Sequence, residues 1–169
     1  MKLPTSRTLF LLVFLGAVTF MGIALYMEHV MNLQPCPMCI LQRAMMIAAG
    51  LVALVAVIHN PRITGIRVYG GLISLSAIIG ATISIRHLWL QSLPADQVPA
   101  CGPDLEYLLD VFPLTDVIMK ILSGDGTCAE VLWSLFGISI PGWALIGFAG
   151  FLALGAALIF RPPAPAARG

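Results

Sequence analysis

Arg43-Ala-Met-Met-Ile-Ala-Ala-Gly-Leu-Val-Ala-Leu-Val-Ala-Val-Ile-His59 is the stretch that decides the architecture of this chain. Between its polar ends lie 15 uncharged residues, Ala44 to Ile58. Rising 1.5 Å per residue, they cover roughly 22 Å as an α-helix, which is short of the ~30 Å of hydrocarbon in a bilayer. A membrane-crossing helix must therefore extend upstream to about Ile40 or Cys39, and Arg43 falls inside its outer turn. An arginine at that depth is costly unless it has work to do or snorkels to the headgroups.

Three longer uncharged runs flank this one: 20 residues from Thr8 to Met27, 18 from Val68 to Ile85, and 19 from Gly142 to Phe160. With 59% hydrophobic and only 10% charged residues, the chain is neither disordered nor an ordinary soluble domain, which carries about 25% charge. The reading is an all-α membrane protein, a four-helix bundle with spans at about 8–27, 40–58, 68–85 and 142–160. The first run is too long for a signal-peptide core and has no A-x-A-like site after it, so it reads as an uncleaved anchor. Residues 1–161 form one membrane domain, and the proline-rich residues 162–169 read as a disordered tail. A net charge of +1 leaves no basic footprint for nucleic acid. Without buried acidic residues or an inverted repeat in the spans, a small transporter is disfavoured.

Orientation follows from the charges outside the spans. Lys2, Arg7, Arg62, Arg67, Arg161 and Arg168 lie at the two termini and in the short middle loop, with no acidic residue among them. All eight acidic residues lie in the other two loops: Glu28 in the first, and Asp96, Asp104, Glu106, Asp110, Asp116, Asp125 and Glu130 in the long one. The positive-inside rule then sets both termini in the cytoplasm and the loops at about 28–39 and 86–141 on the outer, periplasmic side.

All four cysteines fall on that outer side, where an oxidising compartment lets disulfides persist. Cys36 and Cys39 form a C-x-x-C at the entry to the second helix, between Pro35 and the apolar run. Prolines suit a helix start, so Cys39 is expected in the first turn, where unpaired N–H groups favour a thiolate, with Arg43 one turn below on the same face. A membrane quinone needs a soft nucleophile near its ring and a cation near the carbonyl oxygen that gains charge on reduction, and Cys39 with Arg43 would supply both. Cys101 and Cys128 lie in the long loop among Pro94, Pro99, Pro103 and the Ser123-Gly-Asp-Gly-Thr127 segment. Between them Val117, Ile118, Ile121 and Leu122 form an apolar stripe that predicts a short helix on the membrane surface. No metal is expected, because a zinc ribbon wants two C-x-x-C knuckles and the second pair here is 26 residues apart. Two pairs in sequence can pass two electrons inward from a soluble dithiol by thiolate attack on disulfides. A scaffold whose disulfides only hold the outer loops is the competing reading.

Cys36-Pro-Met-Cys39-Ile-Leu-Gln-Arg43, Cys101-Gly-Pro-Asp-Leu-Glu-Tyr-Leu-Leu-Asp-Val-Phe-Pro-Leu114, Gly124-Asp-Gly-Thr-Cys128-Ala-Glu130, Trp133 and Ile140-Pro-Gly-Trp143 together resemble the bacterial disulfide bond formation family DsbB over nearly the whole chain. The resemblance implies a quinone-dependent thiol oxidoreductase of the inner membrane that reoxidises a periplasmic thioredoxin-fold donor of the DsbA type. It implies redox disulfides Cys36–Cys39 and Cys101–Cys128, with Cys101 meeting the donor and Cys128 as its loop partner. Cys39 would contact the quinone, ubiquinone or alternatively menaquinone, and Cys36 would exchange with the loop pair. Arg43, His87 and Gln91 match positions at or near the family's quinone. One departure is Gln42, where some members carry an acidic residue. In the related vitamin K epoxide reductase-like proteins the C-x-x-C comes late in the chain, whereas here it follows the first span.

Overall fold

The computed structural model of the protein describes residues 5–94, 97, 110–123 and 126–160. Four long helices dominate: α1 (Ser6–His29), α2 (Pro37–His59), α3 (Ile63–Gln91) and, after the long loop, α6 (Ile140–Phe160). Each is long and apolar enough to cross a membrane. Two short helices, α4 (Leu114–Ser123) and α5 (Gly126–Ala129), and a hairpin of β1 (Ser134–Leu135) with β2 (Ile138–Ser139) lie between α3 and α6. The expected four-helix membrane fold is the observed one, with the hairpin as an addition that the sequence reading did not contain.

Local chemistry sets the helix ends. Thr5 caps α1, its side chain accepting from the Thr8 N–H. Cys36 caps α2, with Pro37 in the first turn, where a missing N–H costs nothing. Asn60 closes α2 in a left-handed conformation (φ 46°) and Pro61 prevents continuation. The second helix thus begins three residues above Ile40, and α3 runs through His87 and Gln91 instead of ending before them.

The bundle is held by stripes of small and medium side chains. On α3 the buried residues Ile66, Gly70, Ile73, Ala77, Gly80, Ser84 and His87 recur at three- and four-residue steps, one inward face along the whole helix. On α2, Met38, Gln42, Met46, Ala49, Ala53 and Ala56 do the same. These stripes bury Phe10, Val13, Ile66, Ile73, Phe148 and Leu158 in a common core. The outer faces carry half-exposed leucines and isoleucines such as Leu12, Leu51, Leu75 and Ile146, which hydrocarbon solvates.

Glycines let α3 and α6 approach closely. A Cβ on Gly70 would come within 3.1 Å of the Gly155 carbonyl oxygen, and a Cβ on Gly80 would collide with the Phe148 ring, which is fully buried. Gly80→Ala is therefore expected to cost about 1–3 kcal/mol, since a packed core yields little to an added methyl. Thermal unfolding in detergent checks this, and an unchanged midpoint would contradict it.

At one end a second apolar cluster joins Cys36, Met38, Ile83 and Leu90 of the bundle to Val117 and Ile121 of α4 and Cys128 of α5. Two members of the expected α4 stripe are thus turned onto the bundle end, while Leu114 and Met119 face outward. The side chain of Leu122 lies outside the described residues, as do Cys101 and residues 161–169.

Candidate functional site

The site forms where the start of α2 meets the end of α3. Because Cys36 is the cap of α2 and Cys39 its third residue, the two sulfurs come to 3.2 Å, and the Cys39 backbone N–H donates to Cys36 Sγ at 3.4 Å. The helix start thus directs an otherwise unpaired backbone donor at the Cys36 sulfur.

Three further groups close on Cys36. The His87 ring, 2% exposed, brings Nε2 to 3.7 Å from Cys36 Sγ, while its Nδ1 lies 3.3 Å from the side-chain amide of Gln42. Gln42 is itself buried. Cys128, 1% exposed on α5, completes the group: the ligand atoms of Cys36, His87 and Cys128 all lie within 4.8 Å of one another. The loop cysteine and the helix-cap cysteine are therefore neighbours, although 91 residues separate them in the chain.

Arg43 lies on the side of the site toward α1. Its Nη1 donates to the Glu28 carboxylate in an ion pair, and its Nη2 donates to the Ala24 carbonyl at 3.3 Å. Two of the five guanidinium donors are thus engaged by the end of α1. A partner of this kind compensates an arginine at the edge of an apolar phase.

A cavity of about 440 Å³ opens beside these groups, within the size range of small-molecule sites. Cys36, Cys39, Gln42, Arg43, His87 and Gln91 are among its polar lining, with Thr19, Gln34 and Glu130, and residues such as Phe20, Ile23, Met27, Met46, Leu132 and Ala144 supply mostly apolar walls. Gln91 is fixed by the hairpin, its Oε1 accepting from the Ser139 hydroxyl at 2.7 Å. The indole N–H of Trp143, another lining residue, is buried without a hydrogen-bond partner among the described residues.

Of the residues singled out in the sequence, Cys36, Cys39, Arg43, His87 and Gln91 meet around this cavity, and Cys128 is packed against its inner wall through Cys36 and His87. Cys101 lies outside the described residues. Glu28 and Gln42 were not anticipated as partners. Glu28 carried a signal, as the sole acidic residue of the first outer loop and so the nearest counter-charge available to a half-immersed Arg43. Gln42 carried one also, lying four residues from both Met38 and Met46 on the inward stripe of α2.

Known proteins match the chain along nearly its whole length. The family model "Disulfide bond formation protein DsbB" covers residues 6–158. "Disulfide bond formation protein B" of Saccharophagus degradans is 52% identical over 153 residues, covering 90% of this chain and 92% of that protein. The protein of the same name from Hahella chejuensis is 50% identical over 159 residues, 94% of this chain and 96% of its own. "Disulfide bond formation protein B 1" of Pseudomonas aeruginosa is 45% identical over 152 residues, 90% and 93% of the two chains. Four membrane-crossing helices, a C-x-x-C at a helix cap and matches of this extent lead to one conclusion: the chain belongs to the DsbB family, multi-pass membrane proteins of disulfide bond formation.

Proposed function

We propose that the protein is a thiol:quinone oxidoreductase of the bacterial inner membrane that reoxidises a periplasmic thioredoxin-fold donor of the DsbA type. The observation that carries this reading is the approach of Cys128, from the long loop, to within 4.8 Å of Cys36 at the cap of α2. A structural disulfide in the loop gains nothing from lying beside a second cysteine pair, whereas a relay requires it.

Electrons pass in three exchanges. The donor dithiolate attacks Cys101 of a Cys101–Cys128 disulfide, and its second thiolate resolves the mixed disulfide, so the donor loses two electrons and both loop cysteines become thiols. The Cys128 thiolate then attacks Cys36 of a Cys36–Cys39 disulfide. That bond breaks, and Cys39 leaves as a thiolate in the first turn of α2, at the positive end of the helix dipole. Finally Cys101 attacks Cys128 of the Cys36–Cys128 bond, which restores the loop disulfide and leaves Cys36 and Cys39 as a dithiol. The periplasmic side of the membrane holds these steps, and both termini lie in the cytoplasm, in keeping with six basic and no acidic residues at the termini and middle loop.

The cavity fits a membrane quinone in its donor set, with mostly apolar walls and Cys39, Arg43, His87 and Gln91 among its polar lining. Ubiquinone or menaquinone bound there supplies the acceptor for two electrons and two protons from the Cys36–Cys39 dithiol. Arg43 orients a carbonyl oxygen through the guanidinium donors that Glu28 and Ala24 leave over. His87 holds a proton beside Cys36 Sγ, and Gln42 fixes its ring from the other nitrogen.

The test is donor-dependent quinone reduction by purified protein, with ubiquinone and menaquinone analogues in turn. One quinone is expected to be consumed for every two donor thiols oxidised, and thiol oxidation without quinone loss would contradict the proposal. In the same assay His87→Ala is expected to lower kcat about tenfold or more, the worth of one hydrogen bond to a charged sulfur, while donor exchange with the loop proceeds at the normal rate. An unchanged kcat would remove His87 from the mechanism.

A further inference from the structure

The relay passes electrons between the sulfurs of Cys128 and Cys36, yet with His87 they also form the ligand set of a soft metal. Tetrahedral zinc, with Zn–S near 2.3 Å and Zn–N near 2.0–2.1 Å, sets its ligands about 3.8 Å apart for S···S and about 3.6 Å for S···N. Cys36 Sγ and His87 Nε2 are already at 3.7 Å, and no pair of ligand atoms in the triad exceeds 4.8 Å. All three side chains are buried, so a cation there would be shielded from competing water. Cys39 Sγ lies 3.2 Å from Cys36 Sγ, beside the triad.

The surroundings suit a metal in two further respects. A ligating imidazole commonly passes its second ring proton to an acceptor, and Gln42 lies 3.3 Å from His87 Nδ1, where its amide oxygen can be turned to accept it. Charge also balances: two thiolates and a neutral imidazole around a divalent cation sum to zero, the condition under which burial is least costly. Spacing along the chain conceals the set, because its members come from a helix cap, the end of another helix and a loop.

We propose that the fully reduced protein binds one thiophilic divalent cation, zinc or cadmium, through Cys36, Cys128 and His87, and is held inactive by it. Binding converts two thiols to thiolates and releases two protons, with no electron transferred. Either a Cys36–Cys39 or a Cys36–Cys128 disulfide removes a ligand, so the oxidised protein does not bind. The inhibition, though not the binding, rests on the proposed relay, since the cation occupies both sulfurs that must exchange.

The experiment titrates cadmium into full-length detergent-solubilised protein, reduced with a phosphine under argon and freed of quinone, following the thiolate-to-cadmium charge-transfer absorption. One equivalent is expected in the reduced protein and none after disulfide oxidation. His87→Ala and Cys128→Ser are each expected to weaken binding at least about tenfold, and Gln42→Leu, which removes only the supporting amide, by about tenfold. Equal affinity in wild type, His87→Ala and Cys128→Ser would overturn the site, because the Cys36–Cys39 dithiol alone would then account for the signal. Comparison of helical circular dichroism between variants separates ligand loss from misfolding. In parallel, zinc is expected to stop donor-dependent quinone reduction and a chelator to restore it, and zinc-insensitive turnover would overturn the inhibition. A metal-free protein that never reduces quinone but keeps the histidine-dependent cadmium band counts against the proposed relay, not against the metal site.

Discussion

Cys39→Ser is expected to bring donor-dependent quinone reduction to background, a loss on the order of 1,000-fold or more, as for removal of an essential nucleophile. Cys39 lines the cavity beside Arg43, and its sulfur lies 3.2 Å from that of Cys36, its disulfide partner in the proposed relay. A serine hydroxyl holds the same position but can neither close a disulfide with Cys36 nor deliver electrons as a thiolate. Single-turnover oxidation of the donor by the loop pair should survive, because in the proposed relay that exchange precedes the arrival of electrons at α2. Quinone absorbance and donor-thiol counts in one sample check both parts. Sustained turnover in this variant would refute the order of the relay.

The second large effect is at Arg43. Arg43→Ala removes a cation from the cavity wall and strips the Glu28 carboxylate of its ion pair. Hydrogen bonds to charged groups are worth about 1.5–3 kcal/mol, so the quinone KM is expected to rise about 10- to 100-fold, with the donor KM unchanged. Two causes have to be separated, because an unpaired Glu28 can itself disturb the junction of α1 and α2. Glu28→Gln combined with Arg43→Ala removes the stranded charge, and thermal stability should return toward wild type while the quinone KM stays high. Recovery of the quinone KM in the double variant would make Arg43 a structural partner of Glu28 and nothing more.

Much of the bundle was legible from the chain because the length of an apolar run is a local property. The run from Ala44 to Ile58 was too short to span alone, which drew the helix start up to the C-x-x-C, and Pro37 does begin α2. Arg43 was found for the same reason, as a charge inside a helix that needs the residues around it. His87 was singled out by resemblance, although its place on the stripe from Ile66 through Gly70, Ile73, Ala77, Gly80 and Ser84 would have marked it as inward-facing.

What stayed hidden depends on contacts between distant segments. The Glu28 pair with Arg43 and the Gln42 contact with His87 bring together residues on different helices, which no spacing along one helix encodes. The β1–β2 hairpin was missed because its two-residue turn is Phe136-Gly137, with positive φ at both positions, and phenylalanine is a poor signal for the left-handed region. The α4 stripe was correctly helical, yet hydrophobic periodicity does not distinguish a lipid surface from a protein surface, and Val117 and Ile121 meet Met38, Leu90 and Cys128 of the bundle end in one cluster.

In the proposed relay, electrons pass between the two cysteine pairs through Cys36 and Cys128. The most direct measurement uses the Cys39→Ser/Cys101→Ser double variant, in which these two sulfurs alone remain, oxidised gently in its folded state and mapped by mass spectrometry of its peptides. A separation within 4.8 Å is close enough for small side-chain and loop movements to reach the ~2.0 Å of a bond, so near-complete Cys36–Cys128 disulfide is the predicted result. Two thiols that remain fully alkylatable in the folded protein, and join only after unfolding, would contradict it.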